Sequence, residues 1–408
     1  ATLLLCLIAI GADAQGTVGT SLSVEQAVDM AVQNNMQIQS GQLNVEAYKV
    51  QRKAVFELPK ANLNIQYGQY NSINQDIGFQ LSQSIPFPTY YAVKAGVYKA
   101  QYIGSELQRQ VTVNQVKAEV RSLYYELQYR QNVGVQMAKL DSVYNAFLNA
   151  ANLRYQTGET NLLEKSTAEA KRAQLSLLVR QNESEYTAAY KSLKALMNTI
   201  DDFTVPATGF QPLTLTADVD TIAINSNPAV QYQYQQAIIA QQNKRLEIAS
   251  ALPDLNIGYF NQSLMGTQNI DGNDVYFGRE KRFQGLNAGI SIPLTAFSNA
   301  AKVKSLRYQA ESLQKSADYN KQQLQVQLET ALIKYRQQLA YHQYYNEVGL
   351  RNYNDLINTA HKQYQNGEIG YVEYLQALQT ATDIQLSYLQ NIDQLSQSII
   401  QINFLTSK

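Results

Sequence analysis

Leu63-Asn64-Ile65-Gln66-Tyr67 and Leu255-Asn256-Ile257-Gly258-Tyr259 are the stretches whose reading decides the fold. Each alternates apolar with polar or small residues at period two, as a strand with unlike faces must. They lie 192 positions apart, and the same spacing relates Asn34-Asn35-Met36-Gln37-Ile38 to Ser226-Asn227-Pro228-Ala229-Val230. Farther on, Ser84-Ile85-Pro86-Phe87 corresponds to Ser291-Ile292-Pro293-Leu294 at 207, and Tyr155-Gln156-Thr157-Gly158-Glu159 to Tyr364-Gln365-Asn366-Gly367-Glu368 at 209. Four landmarks kept in one order point to a tandem duplication. The 15-residue jump is a longer loop, 264–283, in the second copy, against Tyr70 to Asp76 in the first.

Each copy holds two alternating segments, expected as strands near 61–69 and 77–87 and near 254–263 and 284–294. In the partner strands Ile77, Phe79 and Leu81 oppose Gly78, Gln80 and Ser82, and Leu286, Ala288, Ile290 and Ile292 oppose Asn287, Gly289 and Ser291. At about ten residues these fit tilted spanning strands with lipid on one face and a wet lumen on the other. Soluble hairpins on a core show the same alternation. The context of four strands with no other large apolar surface favours the membrane reading. Four strands cannot close a barrel, and open edges are not tolerated in lipid, so several chains must contribute.

All eight prolines fall at 59, 86, 88, 206, 212, 228, 253 and 293, leaving 89–205 and 294–408 free of helix breakers. Val113, Val116, Val120, Leu123 and Leu127, then Val133, Met137, Leu140, Tyr144 and Phe147, keep a heptad-like spacing with one change of phase. The pattern predicts a long helix over 89–157, roughly 100 Å at 1.5 Å per residue, and a counterpart over 296–366. Gly158 and Gly367 stop these helices, and return helices follow at 160–198 and 369–405. Shorter helices, 22–58 and 227–251, lead into each hairpin. Residues 200–220, with Pro206, Gly209 and Pro212, read as the connector between a first repeat, 15–199, and a second, 221–408.

Thirty-three basic and 33 acidic residues balance, so no field draws nucleic acid. The apolar run Thr2 to Ile10 before Ala12-Asp13-Ala14 fits a signal peptide over 1–14, with a core helix or the remnant of an upstream membrane segment as alternatives. Cys6, the only cysteine, lies within it and reads as a packing residue. His342 and His361 fall at helix positions unsuited to sharing one metal, and no phosphate-loop, nucleophile-elbow or HExxH motif occurs outside chance. Neither a cofactor nor catalysis is expected.

With the duplication, Asn227-Pro228-Ala229-Val230, Leu-Pro before a strand at 58–59 and 252–253, Ile-Pro at each hairpin's end and the two Tyr-Gln-x-Gly-Glu stops, the chain resembles the TolC-like outer-membrane efflux factors over residues 22–408. The resemblance implies a mainly α fold with membrane β-strands: a homotrimer joining three four-stranded sheets into one twelve-stranded barrel, with antiparallel coiled-coil helices forming an α-barrel across the periplasm. It implies a passive duct in the cell outer membrane, fed by a periplasmic adaptor and an inner-membrane pump of the proton-driven resistance-nodulation-division type. Thr157, Gly158, Glu159 and Thr160, with Asn366, Gly367, Glu368 and Ile369, become the adaptor-docking tip, and Glu164 and Glu373 the pore entrance. Ile369 stands where some relatives carry a basic gate residue and Gln376 where they carry an acid. Family appearance leans toward heavy-metal cations as cargo, with multidrug efflux or type I secretion as alternatives. A soluble coiled-coil scaffold is the rival from another class.

Overall fold

The computed structural model describes residues 20–206, 209–215, 221–294 and 296–407. The 1–14 segment with Cys6, and parts of the 200–220 connector, lie outside the described residues. In chain order the elements are β1 (Thr20–Ser21), α1 (Val24–Asn34), α2 (Met36–Gln51), a 3-10 turn (Arg52–Ala54), β2 (Asn62–Gly68), β3 (Asp76–Ile85), α3 (Pro88–Gln156) and α4 (Leu162–Leu196). Then come β4 (Phe203–Thr204), a second 3-10 turn (Thr221–Ser226), α5 (Pro228–Ser250), β5 (Asp254–Ser263), β6 (Gly266–Ile270), β7 (Asn273–Phe277), β8 (Arg282–Ser291), α6 (Ala296–Tyr344), a π-helical turn (Tyr345–Gly349), α7 (Leu350–Gln365) and α8 (Tyr371–Thr406). The order of entering helix, hairpin, long helix and return helix occurs twice.

Equivalent residues start equivalent helices. The side chain of Asn35 accepts from the backbone of Gln37 (2.9 Å) and Ile38 (3.3 Å) at the start of α2, and Asn227 accepts from Ala229 (2.8 Å) at the start of α5, where Pro228 takes the first turn. Asn35 also interrupts the single helix expected over 22–58: its buried amide donates to Leu196 O (3.0 Å), and the chain restarts as α2.

The chain forms two compact units that cut across the duplication. One holds the stretch up to Gln39, Val113–Thr221 and Gln327 onward; the other holds Ser40–Thr112 and Ile222–Val326. The second unit carries the antiparallel sheet β2-β3-β5-β8, in which the two hairpins are joined by β3 against β5. Register keeps each sequence face together: Ile65 pairs with Phe79, Leu81 with Tyr259, and Ile257 with Ala288. That apolar face is open, with Leu63 59%, Ile65 66%, Leu286 81% and Ile290 64% exposed. Among the described residues β2 and β8 have no partner on their outer edges. The long loop of the second copy is a correction to the sequence reading: it folds as the hairpin β6–β7, turned at Asp271 and Gly272, whose φ values of 52° and 86° suit a two-residue reverse turn. Its base is tied to the shorter loop, since Asp76 accepts from the hydroxyls of Ser72 and Ser263 (each 2.7 Å) and from Met265 N–H (2.9 Å).

Two of the cores in the first unit position the helix ends. Ala27, Val28 and Ala31 of α1 pack with Val116, Val120, Tyr124 and Leu127 of α3, Leu193 of α4, and Phe203. The Tyr124 hydroxyl donates to Leu22 O (2.9 Å) beside the parallel pair β1–β4. The second core is aromatic and lies where the long helices end. No helix among the described residues is long and apolar enough to cross a membrane.

Candidate functional site

Both long helices end in the same way. Gly158 donates to Tyr155 O (3.2 Å) and Glu159 to Arg154 O (2.8 Å); Gly367 donates to Tyr364 O (3.1 Å) and Glu368 to Gln363 O (2.8 Å). These are paired Schellman stops, and they need a left-handed residue just past the helix. Gly158 has φ 77° and Gly367 φ 74°, while a Cβ built on either would touch nothing within 4 Å. Glycine is therefore demanded by the backbone alone.

The remaining tip residues divide between solvent and local structure. Thr157 returns its hydroxyl to Leu153 O (3.2 Å) and Arg154 O (3.1 Å). Asn366 donates to Glu368 (3.1 Å), and Glu159 is exposed. Ile369 is half-buried and packs on the aromatic core. Asn161 caps α4 by accepting from Glu164 N–H (3.0 Å).

The two carboxylates that follow the turns, Glu164 and Glu373, differ. Glu164 pairs with the Arg154 guanidinium (3.1 Å), accepts from the Thr160 hydroxyl and is only 18% exposed. Glu373 is exposed and accepts from Gly370 N–H (2.8 Å), closing the first turn of α8. Each thus helps to build its own helix start, and the two tips converge on the same core.

That core is what the sequence reading missed. Phe147 of α3 meets Tyr371 edge-on (ring centroids 4.5 Å apart), Tyr374 (5.3 Å) and Tyr364 (5.6 Å), all from the second copy. Tyr364 and Tyr374 stack at 4.8 Å, and Tyr144, Ala151, Leu375 and Leu378 pack with them, as do Ala168 and Leu175 of α4. Tyr144 and Phe147 were legible as heptad positions, but Tyr371 and Tyr374 sit three apart on a helix start that carried no such signal. Among the described residues the Tyr371 hydroxyl has no hydrogen-bond partner. Burial, then the nearby Glu164 charge, pushes its pKa up to about 12. Among the described residues no group of three or more His, Cys, Asp or Glu is placed to hold a metal ion.

No protein-family model and no curated protein sequence matches the chain. Solved structures do. The chain superposes on CusC, described for its folding and transmembrane channel formation, with TM-score 0.75 and 14% identity over 94% of this chain and 91% of that one. It matches the CmeC outer-membrane channel of Campylobacter jejuni (TM-score 0.76, 14% identity, 94% and 85% covered) and the outer-membrane protein VceC of Vibrio cholerae (0.74, 13%, 94% and 95%). The fold is thus that of these outer-membrane channels, nearly end to end.

Proposed function

We propose that three copies of this chain form the outer-membrane exit duct of a tripartite efflux system, passing cargo that an inner-membrane pump delivers through a periplasmic adaptor. The observation that carries this reading is the sheet β2-β3-β5-β8. It exposes its apolar side chains on one face and leaves both edges without partners. In water such a surface invites aggregation. In lipid it is stable once each edge pairs with the next copy, because every backbone N–H and C=O is then satisfied. Three sheets of four strands make twelve, within the range of outer-membrane barrels.

The opposite face carries Asn64, Gln66, Gln80, Ser82, Asn256 and Asn287, a neutral polar lining for a wet lumen. Transport is passive in this reading, its energy coming from the pump, and the chain is no catalyst. The Gly158 and Gly367 turns meet the adaptor, and Glu164 and Glu373 rim the entrance. Heavy-metal cations are the first cargo to assay, with drugs and a secreted polypeptide as the competing classes. Fractionation with heat-modifiable gel mobility tests the proposal: a membrane-bound, heat-dissociable trimer is expected, and a soluble monomer would overturn it in favour of a scaffold.

A further inference from the structure

The long helices of the two copies differ by one residue at a place that can be located. Asn182 of α4 and Asn391 of α8 are equivalent buried asparagines, each donating from Nδ2 to a carbonyl of the adjacent long helix at 3.0 Å: Arg130 O in the first copy, Gln338 O in the second. The asparagines are 209 apart, but their carbonyl partners are 208 apart. Along the long helices the first residues, Pro88 and Ala296, and the buried pair Val120 and Leu328 keep the 208 spacing. Toward the tip the buried pair Ala151 and Ala360, and the last residues Gln156 and Gln365, stand at 209. The second long helix is therefore one residue longer than the first, the extra residue lying between Gln338 and Ala360.

The structure shows where it went. Tyr345–Gly349 is a π turn in which Leu350 N–H reaches back five residues to Tyr345 O. A π turn absorbs one extra residue while the α-helix on either side keeps its face. The unbroken α3 has no such turn. The surroundings fit the bulge. A Cβ on buried Gly349 would lie 2.8 Å from Tyr345 Cδ1, so the tyrosine ring fills space that only glycine leaves. Opposite, Tyr388 of α8 stacks on His342 (5.9 Å) and meets Tyr345 (6.0 Å). His342 is half-buried here.

We propose that Tyr345–Gly349 is a hinge that lets α7 and the Gly367 turn move while the helix above the bulge stays pinned by Asn391. Long helices kink at such turns, and this one lies a single 16-residue helix from the tip. Movement about it parts Phe147 from Tyr364, Tyr371 and Tyr374. The inference rests on the duct reading only for what the movement serves, opening of the entrance.

Deleting Glu347, which is exposed, tests it, because losing one residue restores a continuous α-helix without turning either end. In the purified full-length protein, hydrogen exchange of 345–365 should slow about tenfold. Spin labels at Glu368→Cys should give a narrower distance distribution across the trimer, and efflux should fall although the protein assembles. Unchanged exchange and distances in an assembled trimer would overturn the hinge. Should the deletion fail to fold, the unaltered protein still decides: amides of 345–365 should exchange faster than those of 137–156, and equal protection refutes the proposal. Absence of a trimer in the unaltered protein would instead sink the duct reading, which the exchange comparison does not need.

Discussion

Phe147→Ala removes the one ring of α3 that touches three tyrosines of the second copy. Phe147 is buried, and truncating such a phenylalanine costs about 3–5 kcal/mol, part of it from aromatic pairs at about 0.5–1.5 kcal/mol each. Alanine returns a few tenths of a kcal/mol of helix propensity, roughly 0.5. The net loss of about 3 kcal/mol falls almost wholly on the contact between the two tips, because the partners of Phe147 lie on the other helix pair. Local opening of the tips should then become more frequent by about 10²-fold. Hydrogen exchange followed by mass spectrometry should show protection lost over 144–160 and 360–375, with 116–127 and 189–197 unchanged because they belong to a separate core. Single-channel recordings should show a larger, longer-lived open level, and Phe147→Leu should restore most of the protection. Unaltered exchange at the tips, or a loss spread equally to the Val120 and Leu193 core, would refute the reasoning.

Gly158→Pro and Gly367→Pro each remove a donated N–H and forbid the left-handed φ, so each should abolish efflux with the trimer intact; Gly158→Ala should cost only about 1–2 kcal/mol by thermal melting. Asp393 is held above the usual carboxylate range by burial and by Glu126. A raised folded pKa means that stability falls as pH climbs from the ordinary aspartate range to the folded value. Asp393→Asn should therefore raise the melting temperature at pH 7 and leave it unchanged at pH 3. By the same sign rule the raised Tyr371 costs stability as pH rises from 10 to about 12. Tyr371→Phe should remove that alkaline loss and stabilise the tip by about 1 kcal/mol, since it deletes a buried hydroxyl without a partner.

How much was legible follows from which signals are local. Strands β2, β3, β5 and β8 announce themselves through strict period-two alternation, and the tips through a glycine at the end of a long periodic run. The β6–β7 hairpin was readable only as a longer loop, although Asp271-Gly272 between Ile270 and Val275 is a turn signal in retrospect. The break at Asn35 escaped because its cause is tertiary: the bond to Leu196 lies 161 residues away. The π turn escaped because a heptad reading already tolerates a phase change. Its trace was nevertheless present in the landmarks, whose spacing grows from 207 before the long helix to 209 at its end, one of the two steps falling within the helix. The roles of Glu164 and Glu373 in their own helix starts could not be read from position alone, since Arg154 and Thr160 become partners only once the turn has formed.

Closure of the barrel by neighbouring copies is tested most directly by disulfide trapping between β2 and β8. Within one chain these strands are separated by β3 and β5, three strand spacings or roughly 14 Å, too far for a disulfide. With Cys6, the only native cysteine, replaced by alanine, cysteines are introduced in pairs, one within 62–68 and one within 282–291. The expected result is a covalent trimer in outer-membrane fractions for pairs in register, and none from either single cysteine. Monomers alone from every pair, in membranes or in the soluble fraction, would contradict the shared barrel.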